Sequence, residues 1–141
     1  MYKPNYVSFL TLIAFCSIFA GCGDGTVQTS GTVRFTTGEP VPFGIVFFES
    51  PEFSYRGTIK DGTYNIEGLK RGSGLPPGTY NVYVMGDDPE TELSLFDVKY
   101  VNPDTSGLVF KAEKGQKNVF DFEVEKSLVQ RAPAPTRTPG P

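Results

Sequence analysis

Three groups of residues in this chain have types and spacings that bear on chemistry. The first is Cys22, which follows Ala20 and Gly21 at the end of an apolar stretch and has only Cys16 as a fellow cysteine. Small residues ahead of it form a boundary of the kind at which a leader is cleaved. The question is whether this thiol leaves with the leader or becomes the first residue of what remains. The second group is "GDDPETE", residues 86–92, where Asp87, Asp88, Glu90 and Glu92 concentrate carboxylates in a predicted loop. Hard oxygen ligands in a loop are what calcium requires, although the spacing is not that of an EF-hand. A solvated acidic loop is the simpler reading, so these four are weak metal candidates. The third group is Phe53, Tyr55, Phe96 and Tyr100, aromatics in or near loops. Exposed, they would stack on sugars or dock on a partner; packed, they would fasten a long loop to the core.

Catalytic chemistry has few carriers here. The chain has no histidine, which removes the triads that use imidazole as base and the usual zinc sites. The glycine-rich stretch "KRGSGLPPG" sets prolines where a phosphate-binding loop would need a helix to begin. No catalytic residue, cofactor or firm metal site is therefore expected, and the chain is read as a non-enzyme.

The elements that position these groups begin with the N-terminus. "MYKPNYVSFLTLIAFCSIFAGC" carries one lysine near its start and no charge between Pro4 and Gly23, the layout of a secretory signal peptide. Its strongly apolar part, Val7 to Ala20, is 14 residues long, short of the roughly 20 that cross a bilayer. Ala20-Gly21-Cys22 resembles the lipobox of bacterial lipoproteins, in which the cysteine receives diacylglycerol and becomes residue one; Phe19 departs from the aliphatic residue usual there. The resemblance implies cleavage between Gly21 and Cys22, lipidation of Cys22, and a bacterial cell-envelope location, anchored to a membrane and facing periplasm or exterior. The small polar run after Cys22 suits a tether.

Cleavage at that point leaves about 120 residues, one domain's worth. Loss of Lys3 takes the formal charge from −3 to −4. A mildly acidic chain without a basic run is a poor partner for nucleic acid or anionic lipid, so membrane attachment falls to the lipid. One remaining cysteine allows no internal disulfide. Stability must come from an apolar core.

That core reads as β-structure, with short branched and aromatic runs separated by Gly, Pro and Asp clusters. Thr29 to Phe35 alternates. "FGIVFF", Phe43 to Phe48, is apolar on both faces and reads as a central strand covered on each side. Tyr55 to Ile59 follows, Asp61-Gly62 makes a tight turn into "TYNIEG", and "GTYNVYVM" points Tyr80, Val82 and Val84 inward. A closing hairpin is expected from "SGLVFKAE" and "NVFDFEVEK", with Phe120, Phe122 and Val124 inside and Asp121, Glu123 and Glu125 expendable in water. Gly62, Gly78 and Gly107 read as turn residues that tolerate positive φ. About seven strands in about 100 residues predict an all-β, antiparallel β-sandwich of Ig-like architecture. The prolines at 133, 135, 139 and 141 predict an extended tail. The organisation is thus signal peptide 1–21, tether 22–27, β-sandwich 28–126 and Pro-rich tail 127–141.

A second resemblance rests on "SGTVRFTTGEPVPFGIVFFES", "IKDGTYNI" and "GLPPGTYNVYV". In order and spacing these are similar to the carboxypeptidase regulatory-like, transthyretin-like domain carried by small bacterial lipoproteins. The resemblance implies a folding or interaction module without peptidase activity, whose partner is an unspecified protein or glycan. A carbohydrate- or calcium-dependent adhesion module is the alternative. A transthyretin-like hydrolase is the remaining one, and it is poorly served: "YRGT" at Tyr55 to Thr58 lies mid-chain, and the histidines of that family are missing.

Overall fold

The computed structural model describes residues 25–68 and 74–127. The signal segment, Gly21, Cys22, and the tail beyond Ser127 lie outside the described residues. Eight strands form one curled mixed sheet: β1 (Thr29–Phe35), β2 (Phe43–Glu49), β3 (Ser54–Lys60), β4 (Thr63–Asn65), β5 (Gly78–Met85), β6 (Leu108–Ala112), β7 (Asn118–Val119) and β8 (Phe122–Val124). Among the described residues a single 3-10 turn, Val98–Val101, interrupts the β-structure. Among the described residues no helix is long and apolar enough to cross a membrane.

The strand order is β6-β5-β2-β3-β4-β1-β7, with β8 also on β1. The curl is made at Asp61-Gly62. Both residues are left-handed, at φ 49° and 76°, which gives the two-residue turn whose twist suits adjoining strands. Lys60 pairs with Thr63 across it, and Lys60 and Thr63 supply the one ladder pair between β3 and β4. One half of the sheet, β6-β5-β2-β3, is antiparallel throughout. The other half folds over it, and the two inner faces enclose the core.

Alternation decides which residues meet there. Val46 and Phe48 from β2, Tyr55 and Ile59 from β3, and Tyr80, Val82 and Val84 from β5 are buried against Val33, Phe35, Tyr64, Phe122 and Val124. Phe48 is the hub, with Tyr64, Tyr80, Phe110 and Phe120 at ring-centroid distances of 5.5–6.4 Å. The tilted and edge-on arrangements match the geometry aromatic quadrupoles favour.

The expected closing hairpin is not formed. β6 pairs with β5, whereas β7 and β8 cross to the other half and lie parallel to β1. The sheet is therefore mixed rather than purely antiparallel, and it has eight strands because the last run divides at Phe120-Asp121. The physical reason is Gly31. A Cβ at that position would stand 1.9 Å from the Phe120 carbonyl oxygen, so only glycine lets the last strand come this close. The Phe120 carbonyl then accepts from the Tyr64 hydroxyl at 2.6 Å, reaching across β1. Burial first, and the nearby Asp121 charge second, hold the Tyr64 phenol protonated far above its ordinary range, so it remains a donor at any physiological pH.

The Asp121 side chain completes the ladder that this detour interrupts. Its Oδ1 accepts from the Thr32 N–H at 2.7 Å and the Thr32 hydroxyl at 2.9 Å, replacing the carbonyl that a continuous strand would have supplied. Asp121 is thus not expendable, contrary to the reading from alternation. Asp121→Ala is expected to cost about 1–2 kcal/mol, as loss of a charged acceptor from a backbone donor does. Glu123→Ala, exposed two residues further on in β8, is expected to stay within about 0.5 kcal/mol. Urea denaturation of the two variants measures both, and equal midpoints would refute the substitution of carboxylate for carbonyl.

One glycine assignment also changes. Gly62 and Gly107 have positive φ, at 76° and 68°, but Gly78 opens β5 in extended conformation and is a strand residue.

Candidate functional site

The sequence-derived candidates are dispersed. Tyr55, Phe96 and Tyr100 are buried, and they fasten their segments to the core as packing residues. Of the four loop aromatics only Phe53 is exposed. The acidic loop does not form a cage. Asp88 Oδ1 accepts from the backbone N–H groups of Glu90 and Thr91, at 2.9 and 3.0 Å, and those bonds hold its carboxyl below the usual range. Glu92 takes a left-handed φ of 57° to close the turn. Among the described residues no three of His, Cys, Asp or Glu are grouped as metal ligands; Asp88 and Glu92 shape the turn that carries Asp87 and Glu90.

The structure instead offers a candidate site on the outer face of β2, β3 and β5. The second apolar face of "FGIVFF" lies here. Ile45 and Phe47 are half-buried and line open depressions instead of a second core, which corrects the expectation that β2 is covered on both sides. Phe47 lies directly opposite Tyr83 on β5 and Arg56 on β3. The Phe47 and Tyr83 rings stack at 4.8 Å and 8°. The Tyr83 hydroxyl is directed at Glu49 and Ser54; burial first, then the Glu49 charge, raises its pKa.

A groove opens beside this aromatic pair, at the seam between β3 and the chain from Asn65 to Gly68. The seam is closed by the Lys60–Thr63 pair at one end and by a bridge between Arg56 and Glu67 at the other, with no ladder pair between them. Alternation turns Tyr64 and Ile66 into the core and leaves Asn65 and Glu67 outside, next to Arg56 and Thr58. Gly57 permits the approach, since a Cβ there would meet the Asn65 carbonyl oxygen at 2.5 Å. The groove has a volume of about 690 Å³ and is lined by Ile45, Arg56, Gly57, Thr58, Asn65, Glu67 and Gly68. A second depression of about 370 Å³ shares Arg56, Glu67 and Gly68 with it and adds Phe47, Ser54 and Tyr55.

Sequence reasoning missed Arg56, Glu67, Asn65, Phe47 and Tyr83. The available signal was the doubly apolar face of β2, which marks either a covered strand or an exposed apolar surface. No family model, curated protein or solved structure matches this chain.

Proposed function

We propose that the chain is a lipid-anchored, non-catalytic module of the bacterial cell envelope, held to the membrane through Cys22 and displaying a β-sandwich of transthyretin-like type whose outer face binds a partner. The observation that carries the binding role is the groove at the β3–β4 seam. Among the described residues the Arg56 guanidinium and the Glu67 carboxylate that line it make no hydrogen bond or ion pair. Unpaired charged groups beside an apolar wall are what a recognition site offers a ligand. The absence of histidine from the sequence weighs against a hydrolase, and the resemblance to carboxypeptidase regulatory-like domains of small lipoproteins agrees with an interaction role. Of the adhesion alternatives, the carbohydrate one is favoured by this groove, while the acidic loop spends its best-placed carboxylate on its own turn.

Full-length protein expressed in a bacterial host tests both parts. Cys22→Ala is expected to release the protein from the membrane fraction or leave it as an uncleaved precursor, because an acidic domain supplies no anchoring of its own once the acyl chains are gone. Mass spectrometry of the mature N-terminus reads the modification, and an unmodified terminus downstream of Cys22 would overturn the anchor. In the same cells a photoreactive residue at Thr58 is expected to give adducts with envelope components. One at Glu123, on the other half of the sheet, is expected to give none.

A further inference from the structure

We infer that the groove at the β3–β4 seam is a binding site for a neutral oligosaccharide, a conclusion that rests on the binding role proposed above and names its ligand. The first argument is charge. Arg56 and Glu67 face the same space from bridged positions, and Glu49 lies along the neighbouring strand. An anionic ligand drawn to Arg56 meets Glu67, and a cation drawn to Glu67 meets Arg56. The pair suits a ligand without net charge that both donates and accepts hydrogen bonds at adjacent positions. A guanidinium offers only donors and a carboxylate only acceptors, while the Asn65 amide and Thr58 hydroxyl offer both. Neighbouring sugar hydroxyls match that alternation.

The second argument is the apolar side of the site. Ile45 forms part of the groove wall, and Phe47 belongs to the adjoining depression that meets it at Arg56 and Glu67. Sugar rings carry C–H faces that pack against aliphatic and aromatic side chains while their hydroxyls point to the polar rim. The third is shape. Two depressions adjoin at Arg56, Glu67 and Gly68, one on each side of the bridge that closes the seam. Adjoining depressions of about 690 and 370 Å³ give room for more than one sugar unit. The wall of the site that carries Ile45, Arg56 and Thr58 is set on paired strands, with β3 fixed to β2 over seven pairs.

The test applies the full chain, solubilised in detergent, to an array of short neutral glycans and their uronic-acid counterparts, with and without a calcium chelator. Binding to neutral glycans that is indifferent to the chelator is expected. Arg56→Ala and Glu67→Gln are each expected to weaken it about tenfold or more, as loss of a charged hydrogen-bonding partner does, and Asp88→Asn is expected to leave it unchanged. Both groove substitutions are at exposed positions, and thermal melts of the variants establish that they remain folded. Failure to bind any glycan, preference for the uronic acids, dependence on calcium, or indifference to both groove substitutions would each overturn the assignment. Should the array be negative while the Thr58 probe still captures an envelope protein, the glycan is wrong and the binding role stands. Should both be silent, the binding role falls as well.

Discussion

Phe48→Ala is expected to lower the stability of the domain by about 3–5 kcal/mol, the range for truncating a fully buried phenylalanine. Phe48 has no exposed surface, and the rings of Tyr64, Tyr80, Phe110 and Phe120 surround it from β4, β5, β6 and the β7–β8 junction. Those neighbours come from both halves of the sheet and cannot collapse together without pulling their strands out of register, so the cavity persists. A loss of this size consumes a large part of the roughly 5–15 kcal/mol that holds a domain folded. Phe53→Ala is the control, because Phe53 is 48% exposed and its truncation is expected to cost under about 0.5 kcal/mol. Denaturant titration of the two variants decides the matter, and similar midpoints would show that Phe48 is not the hub.

Gly31→Ala is expected to be comparably severe, at about 2–5 kcal/mol, combining overpacking with loss of the partly buried Tyr64–Phe120 hydrogen bond. The added methyl would overlap the Phe120 carbonyl at 1.9 Å and the Tyr64 hydroxyl at 2.8 Å. The first contact is with backbone, which yields only if β7 and β8 retreat from β1. A second substitution separates the two contributions. If the clash with backbone dominates, Tyr64→Phe will not rescue Gly31→Ala. Recovery of stability in the double variant would mean that the hydroxyl alone was in the way.

Both residues show how far the sequence could be followed. Phe48 was legible as core because its run is apolar, and the inward set Phe120, Phe122 and Val124 followed from a period of two. Their partners were not legible. Periodicity states which side chains share a face and is silent on which strand lies alongside, and the closeness of "SGLVFKAE" and "NVFDFEVEK" in sequence suggests a local hairpin where the chain crosses to β1. Gly31 looked like one more alternating position, because the need for glycine comes from a carbonyl that lies 89 residues further along the chain. The same distance hid Asp121, whose spacing marked it as solvent-facing while its carboxylate replaces a backbone acceptor. The groove was invisible for a related reason. Arg56 and Glu67 are ordinary exposed charges in sequence, and only the register that bridges them across the β3–β4 turn makes them a pair.

The parallel pairing of β1 with β8 sets the order in which the molecule is completed. Thr32 and Asp121 are 89 residues apart, and bringing such distant segments together incurs the loop-closure entropy that slows folding of non-local topologies. A chain delivered N-terminus first, from a ribosome or through a translocation pore, presents β1 long before its last partner exists. Val33 and Phe35 wait for Phe122 and Val124, so the first strand cannot be sealed until nearly the whole domain has emerged. Late closure leaves the two inner faces unsealed until the last strand reaches β1.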